Sequence, residues 1–191
     1  MNLAKYSQCG RSMVEILGVL AVIGVLSVGG IAGYSKAMEK SNTNKLIEDI
    51  SFSLRKIKNT YANQQTYEDI DKQVYALDLI QGVTKTEGMN KKIIHRLNGE
   101  VIVKPIAYNK GYVVIYNGLN NAACSNLAST DWGADVKFLV VSPTGVLPPR
   151  GYPSNLDWGE FENKDLPLQP AEAVTYCNCD AFYKCGIAWF F

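Results

Sequence analysis

The feature that most constrains this chain is a run of twenty residues, 16–35 (ILGVLAVIGVLSVGGIAGYS), with no charged side chain, bracketed by Glu15 and Lys36. At about 1.5 Å per residue such a run makes a helix of roughly 30 Å, the thickness of a bilayer's hydrocarbon core. This argues against a soluble cytoplasmic protein. A cleaved secretory signal would have an apolar region of only about 7 to 15 residues and end in an A-x-A-like site. Neither condition is met here. The carboxylate of Glu15 at the threshold of the run needs its own account. Deep in a spanning helix a charge costs about 2.5 to 3.5 kcal/mol, so the bland reading places Glu15 in the headgroup zone.

The helix need not stop at Lys36, because the first proline in the chain is Pro105. Leu46, Ile50, Leu54, Ile57 and Tyr61 recur at steps of three and four, while Lys45, Glu48, Asp49, Arg55, Lys56 and Lys58 fall elsewhere. That spacing predicts a one-sided helix continuing to about residue 62, roughly 75 Å from its start near residue 12. The first part is apolar all round and the second on one side only. Gly29, Gly30 and Gly33 mark a place for a kink or, through Gly29-xxx-Gly33, for close helix packing.

Function classes narrow through what the chain lacks. Its 191 residues carry 19 Lys plus Arg against 18 Asp plus Glu, so no basic excess supports nucleic-acid binding. The single histidine, His95, reads as an exposed or packing residue rather than a ligand, and no HExxH, GxSxG or GxxxxGK[ST] string occurs. No catalytic, cofactor-binding or metal site is read from the sequence.

Residues 63–98 are polar and mixed, with an apolar patch at 74–80, and read as a loop with one or two helical turns. Asn98-Gly99 signals a turn before two antiparallel strands, 100–108 and 112–116. Asn120 is placed to cap a short helix running to about Thr130, with Ala123, Cys124 and Leu127 inward. VKFLVVS (136–142) reads as a third strand. Six of the seven prolines lie from Pro143 to Pro170, which predicts a long surface excursion with Tyr152, Trp158 and Phe161 docking it. At the end Ile187, Trp189 and Phe191 alternate onto one face of a terminal strand.

Gly10-Arg11-Ser12-Met13-Val14-Glu15 followed by the apolar run resembles the class III signal of type IV prepilins. In that family a short leader is cut after the glycine by a membrane aspartyl peptidase that also methylates the new N-terminus. The resemblance therefore implies that Gly10 ends the leader, that Arg11 is the methylated first residue, and that Glu15 partners a neighbouring subunit's terminal amine. Arg11 departs from the family's commoner Phe, Met or Leu. It also implies four segments: leader 1–10, membrane and filament-core helix 11–35, amphipathic half 36–62 and periplasmic or extracellular domain 63–191. Without the leader, 18 basic groups face 18 acidic ones and four cysteines remain, the even count that a disulfide framework requires.

Those four, Cys124, Cys177, Cys179 and Cys185, lie in the C-terminal third. Of their three connectivities only the one joining Cys177 to Cys179 is set aside, as a strained ring. A four-thiolate zinc site is the competing use of C-x-C. GLNNAACSNLASTDWG, Pro170 with AEAVTYC, and the final IAWFF resemble the globular half of type IVb pilins, which implies Cys124 with Cys177 and leaves Cys179 for Cys185. The fold implied is α+β, a long N-terminal helix on an antiparallel sheet with a disulfide-bounded C-terminal region.

The function implied is a structural subunit polymerising into a filament. Its implied partners are the prepilin peptidase, a polytopic platform protein, an assembly ATPase and an outer-membrane secretin, with the inner membrane as the site before assembly. A minor pilin or type II secretion pseudopilin is the nearest alternative, and a membrane-anchored periplasmic binding protein that never polymerises is another.

Overall fold

A helix without proline over its whole length, with Glu15 in its first turn and Lys58 in its last, matches the helix dipole at both ends. In the computed structural model, which describes residues 13–87, 90–106, 108–145, 159–179, 182 and 184–191, it is α1, Met13–Tyr61. α1 continues unbroken through Gly29, Gly30 and Gly33. The chain divides into two units, Met1–Ser41 and Asn42–Phe191.

In the second unit the stripe read from the spacing is the part of α1 that enters the core. Leu46, Ile50 and Ile57 are 0% exposed and Tyr61 3%, and Leu54 packs against the same cluster. Burying such a side chain stabilises by about 1.5 to 3 kcal/mol. Ser53 also faces inward, and its hydroxyl is satisfied twice, donating to the Asp49 carbonyl at 2.7 Å and accepting from the Gln81 amide at 2.9 Å.

After α1 come α2 (Ile70–Ala76), β1 (Val83–Glu87), β2 (Asn90–Ile94), β3 (Glu100–Ile106), β4 (Gly111–Leu119), α3 (Asn121–Ala128), β5 (Phe138–Ser142), β6 (Gly159–Glu162), a short 3-10 turn, α4 (Pro170–Tyr176) and β7 (Cys185–Phe190). The strands form one sheet in the order β1-β2-β3-β4-β7-β5-β6, every pairing antiparallel. The terminal strand is thus central. Trp189 lies opposite Val114 on one side and Leu139 on the other.

Alternation assigns the faces. Val114, Tyr116, Leu139, Val141, Ile187 and Trp189 join α1 in the main core, while Val113, Val140 and Ala188 make a small cluster with Ile106, Ile115 and Phe190. Side chains one residue apart in a strand point to opposite faces, so the sheet separates the two groups.

Two stretches differ from their expectation. Residues 63–98, read as loop with a turn or two of helix, hold α2 and also the β1–β2 hairpin. β1 is VTKTE, polar at four of five positions and exposed from Val83 to Thr86, so no buried face imposed a period on its sequence. The proline-rich stretch includes β6, whose Phe161 packs against the main core. Tyr152 and Trp158 lie outside the described residues.

Candidate assembly helix and disulfide-bounded region

Glu15 stands in the first turn of α1 with its residue exposed. Gly10 and Arg11 lie outside the described residues. From Ile16 to Tyr34 the large apolar side chains are exposed, from 48% at Ile16 to 75% at Val25. The helix carries an 18-residue window of mean hydropathy 2.4, with none of that window buried among the described residues. Beyond the helix's own backbone, Gly18, Gly24, Gly29, Gly30 and Gly33 meet no heavy atom of the described residues within 4 Å of where a Cβ would stand.

Soluble monomers rarely expose contiguous apolar patches beyond a few hundred Å². A surface like this one calls for lipid, or for other helices that approach closely at the glycines.

The second feature is built on α3, α4 and β7. Asn120 caps α3, its Oδ1 accepting the Ala123 amide at 2.8 Å, and this sets Ala123, Cys124, Leu127 and Ala128 inward. α4 begins with Pro170, whose missing N–H costs nothing in a first turn, and Cys177 is its C-terminal cap residue. This helix was not read from the sequence, although Pro170 before AEAV was a usable start signal.

Disulfides join Cys124 to Cys177, with Cα atoms 5.6 Å apart, and Cys179 to Cys185, at 5.0 Å. Both spacings suit a disulfide. With all four sulfurs covalently paired, none is the thiolate that the zinc reading would need. Trp132 closes the region from above α3, donating its Nε1–H to the Leu127 carbonyl at 2.8 Å and meeting Trp189 edge-on at 5.1 Å.

His95 directly follows β2 and is buried, with 2% exposure. Its Nδ1 accepts the Leu97 amide at 3.2 Å, which leaves Nε2 to donate to the Asn117 carbonyl at 2.8 Å. Both nitrogens are used in the neutral form. Burial is the main reason its pKa falls below the ordinary histidine value, opposed by the bond to Asn117 and reinforced by Lys184. Gly99 must be glycine here, since a Cβ would overlap the Asn117 carbonyl. The same turn is held to α1 by Arg96, whose Nε donates to Asp49 Oδ2 at 2.7 Å. Burial likewise raises the pKa of Tyr112 and of Tyr116.

A groove of about 470 Å³ lies between α1 and the sheet's end, with Arg55, Lys58, Tyr67, Lys110, Asp135 and Phe191 among its lining. Lys58 crosses it to Asp135 at 2.5 Å.

Two relatives align with nearly the whole chain. The major structural subunit of the bundle-forming pilus of Escherichia coli O127:H6 (strain E2348/69 / EPEC) is 27% identical over 183 residues, 94% of this chain and 93% of that protein. The same subunit from Escherichia coli O111:H- is 26% identical with the same coverage. In three dimensions the fold matches the crystal structure of a type IVb pilin from Salmonella typhi. The TM-score is 0.50 at 8% identity, over 73% of this chain and 91% of that one. In sequence and in fold the chain is similar to the type IV pilins. No protein-family model matches it. A long helix, an antiparallel sheet and a disulfide-bounded C-terminal region are the fold features that this chain carries alongside that likeness.

Proposed function

We propose that this chain is a type IV pilin, the structural subunit of a type IVb pilus, and has no enzymatic role. One observation carries the proposal: a run of twenty uncharged helical residues whose large apolar side chains are exposed, in a molecule whose second unit holds an ordinary apolar core. The likeness to two major pilus subunits over 94% of the chain supports it.

On this reading residues 1–10 are a leader that the prepilin peptidase removes, and Arg11 becomes the methylated N-terminus. Residues 11–35 hold the subunit in the inner membrane and then form the filament core, 36–62 pack on the domain, and 63–191 are its extracellular part. The platform protein, the assembly ATPase and the secretin are the partners for extrusion. In the filament core Glu15 loses water. An unpartnered buried carboxylate costs several kcal/mol, so it pairs with the amine of Arg11 on an adjacent subunit and sets the axial register.

Glu15→Val tests the pairing. Membrane insertion and leader cleavage should persist, because the helix becomes more apolar, while sheared filaments visible by negative stain should disappear. Normal filament yield would return Glu15 to the role of a headgroup residue. A bulky side chain at Gly10 should instead leave the full-length precursor, read by mass spectrometry. In wild-type filaments this chain should be the dominant band, and a trace would make it a minor pilin.

A further inference from the structure

The sulfur atoms of Cys124, Cys179 and Cys185 all lie within 4.8 Å of one another, although they belong to two different disulfides. The two bonds also differ in access. Cys124, Cys177 and Cys185 are 0% exposed, and Cys179 alone of the four is half-buried. Thiol–disulfide exchange needs a thiolate to reach a disulfide sulfur directly. Among the described residues, Cys179 is therefore the one of the four cysteines with surface open to an outside reagent.

We propose that the four cysteines form a thiol–disulfide exchange relay in which Cys179 is the sulfur that an external dithiol engages and Cys185 is the internal nucleophile that carries exchange to Cys124. The first step is attack of the dithiol's thiolate on Cys179 Sγ. The Cys179–Cys185 bond breaks, a mixed disulfide forms at Cys179, and Cys185 leaves as a thiolate. Cys185 Sγ is then a buried nucleophile beside Cys124. It attacks Cys124 Sγ, a Cys124–Cys185 bond forms, and Cys177 leaves as the thiolate. One disulfide is consumed and one formed in each step, and the second thiol of the dithiol frees Cys179 by closing its own ring.

Reversal of the second step converts a misformed Cys124–Cys185 bond into Cys124–Cys177. The relay lets the buried bond be corrected, or opened, without unfolding the domain. Its reactive partner is a dithiol in the class of small reductants or disulfide oxidoreductases. The inference stands apart from the proposed filament role.

The test uses the full chain in detergent micelles without denaturant. Dithiothreitol is the probe, and peptide mapping after alkylation follows each bond. In wild type the Cys124–Cys177 bond should open at least tenfold faster than the domain unfolds globally, with unfolding measured by hydrogen exchange of the slowest core amides. In Cys179→Ser/Cys185→Ser the opening rate should fall to the unfolding rate of that same variant, so a change in its stability does not confuse the comparison. A second variant traps the intermediate. Cys179→Ser leaves Cys185 as a free thiol, and a Cys124–Cys185 peptide should appear without any reductant. Opening at the global unfolding rate in wild type, or only Cys124–Cys177 with a free Cys185 in the second variant, would overturn the relay.

Discussion

Two halves of one helix meet opposite fates. From Ile16 to Tyr34 the apolar side chains of α1 are exposed, whereas Leu46, Ile50 and Ile57 further along are sealed in a core. The difference is pattern. A helix that is apolar all round offers every neighbour the same surface, so no one face is selected against its own sheet. A helix with charges on one side has a single face to bury. The first kind looks outside its own chain for a partner, to lipid or to copies of itself. The second nucleates a domain.

The sharpest way to break this contrast is to give the first half a charge. Val22→Asp, at the middle of the run, should cost about 2.5 to 3.5 kcal/mol in a membrane. Carbonate extraction should then release the chain, with the unfolding transition of residues 42–191 unchanged. Retention in the membrane fraction would mean that the run is not a spanning segment.

A matched pair of truncations comes next. Ile50→Ala should destabilise the domain by about 2 to 5 kcal/mol, while Ile23→Ala should leave its thermal midpoint where it was. Equal shifts would show that the first half contributes to the domain's core after all.

Within the domain the expected effects are smaller. Asn120→Ala removes the cap on α3 and should cost about 1 kcal/mol in denaturant unfolding. A cost near zero would mean that the Cys124–Cys177 bond alone orders that helix.

The mildest effect is pH dependence through His95. Its folded pKa lies below its unfolded value of about 6.5, so the unfolded chain takes up the proton first. The contribution to stability is complete above about pH 6.5 and is lost as pH falls toward the folded pKa. Chemical denaturation at pH 7 and pH 5 should show that loss in wild type and a flatter profile in His95→Gln. Identical profiles would remove His95 as the cause.

Legibility followed the strength of the local signal. The β3–β4 pair was readable from EVIVKPI and YVVIY around a glycine, and α3 from an asparagine set before AACSNLA. β1 and β6 were not, since VTKTE and GEFE lack a repeated apolar face and owe their strand form to pairing with β2 and β5. His95 shows the same limit. Nothing in KKIIHRL announces burial, which comes from the approach of Asn117 on β4, twenty-two residues away.

By itself the sequence determined the long helix, its change from all-round to one-sided apolarity, and the pairing capacity of four cysteines beyond the apolar run. Those are local properties, decided by periodicity, by the absence of proline and by count. Only the tertiary structure decided that the last strand inserts between β4 and β5, that Asp49 holds Arg96, and that the sulfurs of two separate disulfides gather within 4.8 Å. Each of these joins groups far apart in the chain or on different elements. No residue's own preference encodes such a contact, and it exists because the whole apolar surface of the domain can be buried in one arrangement.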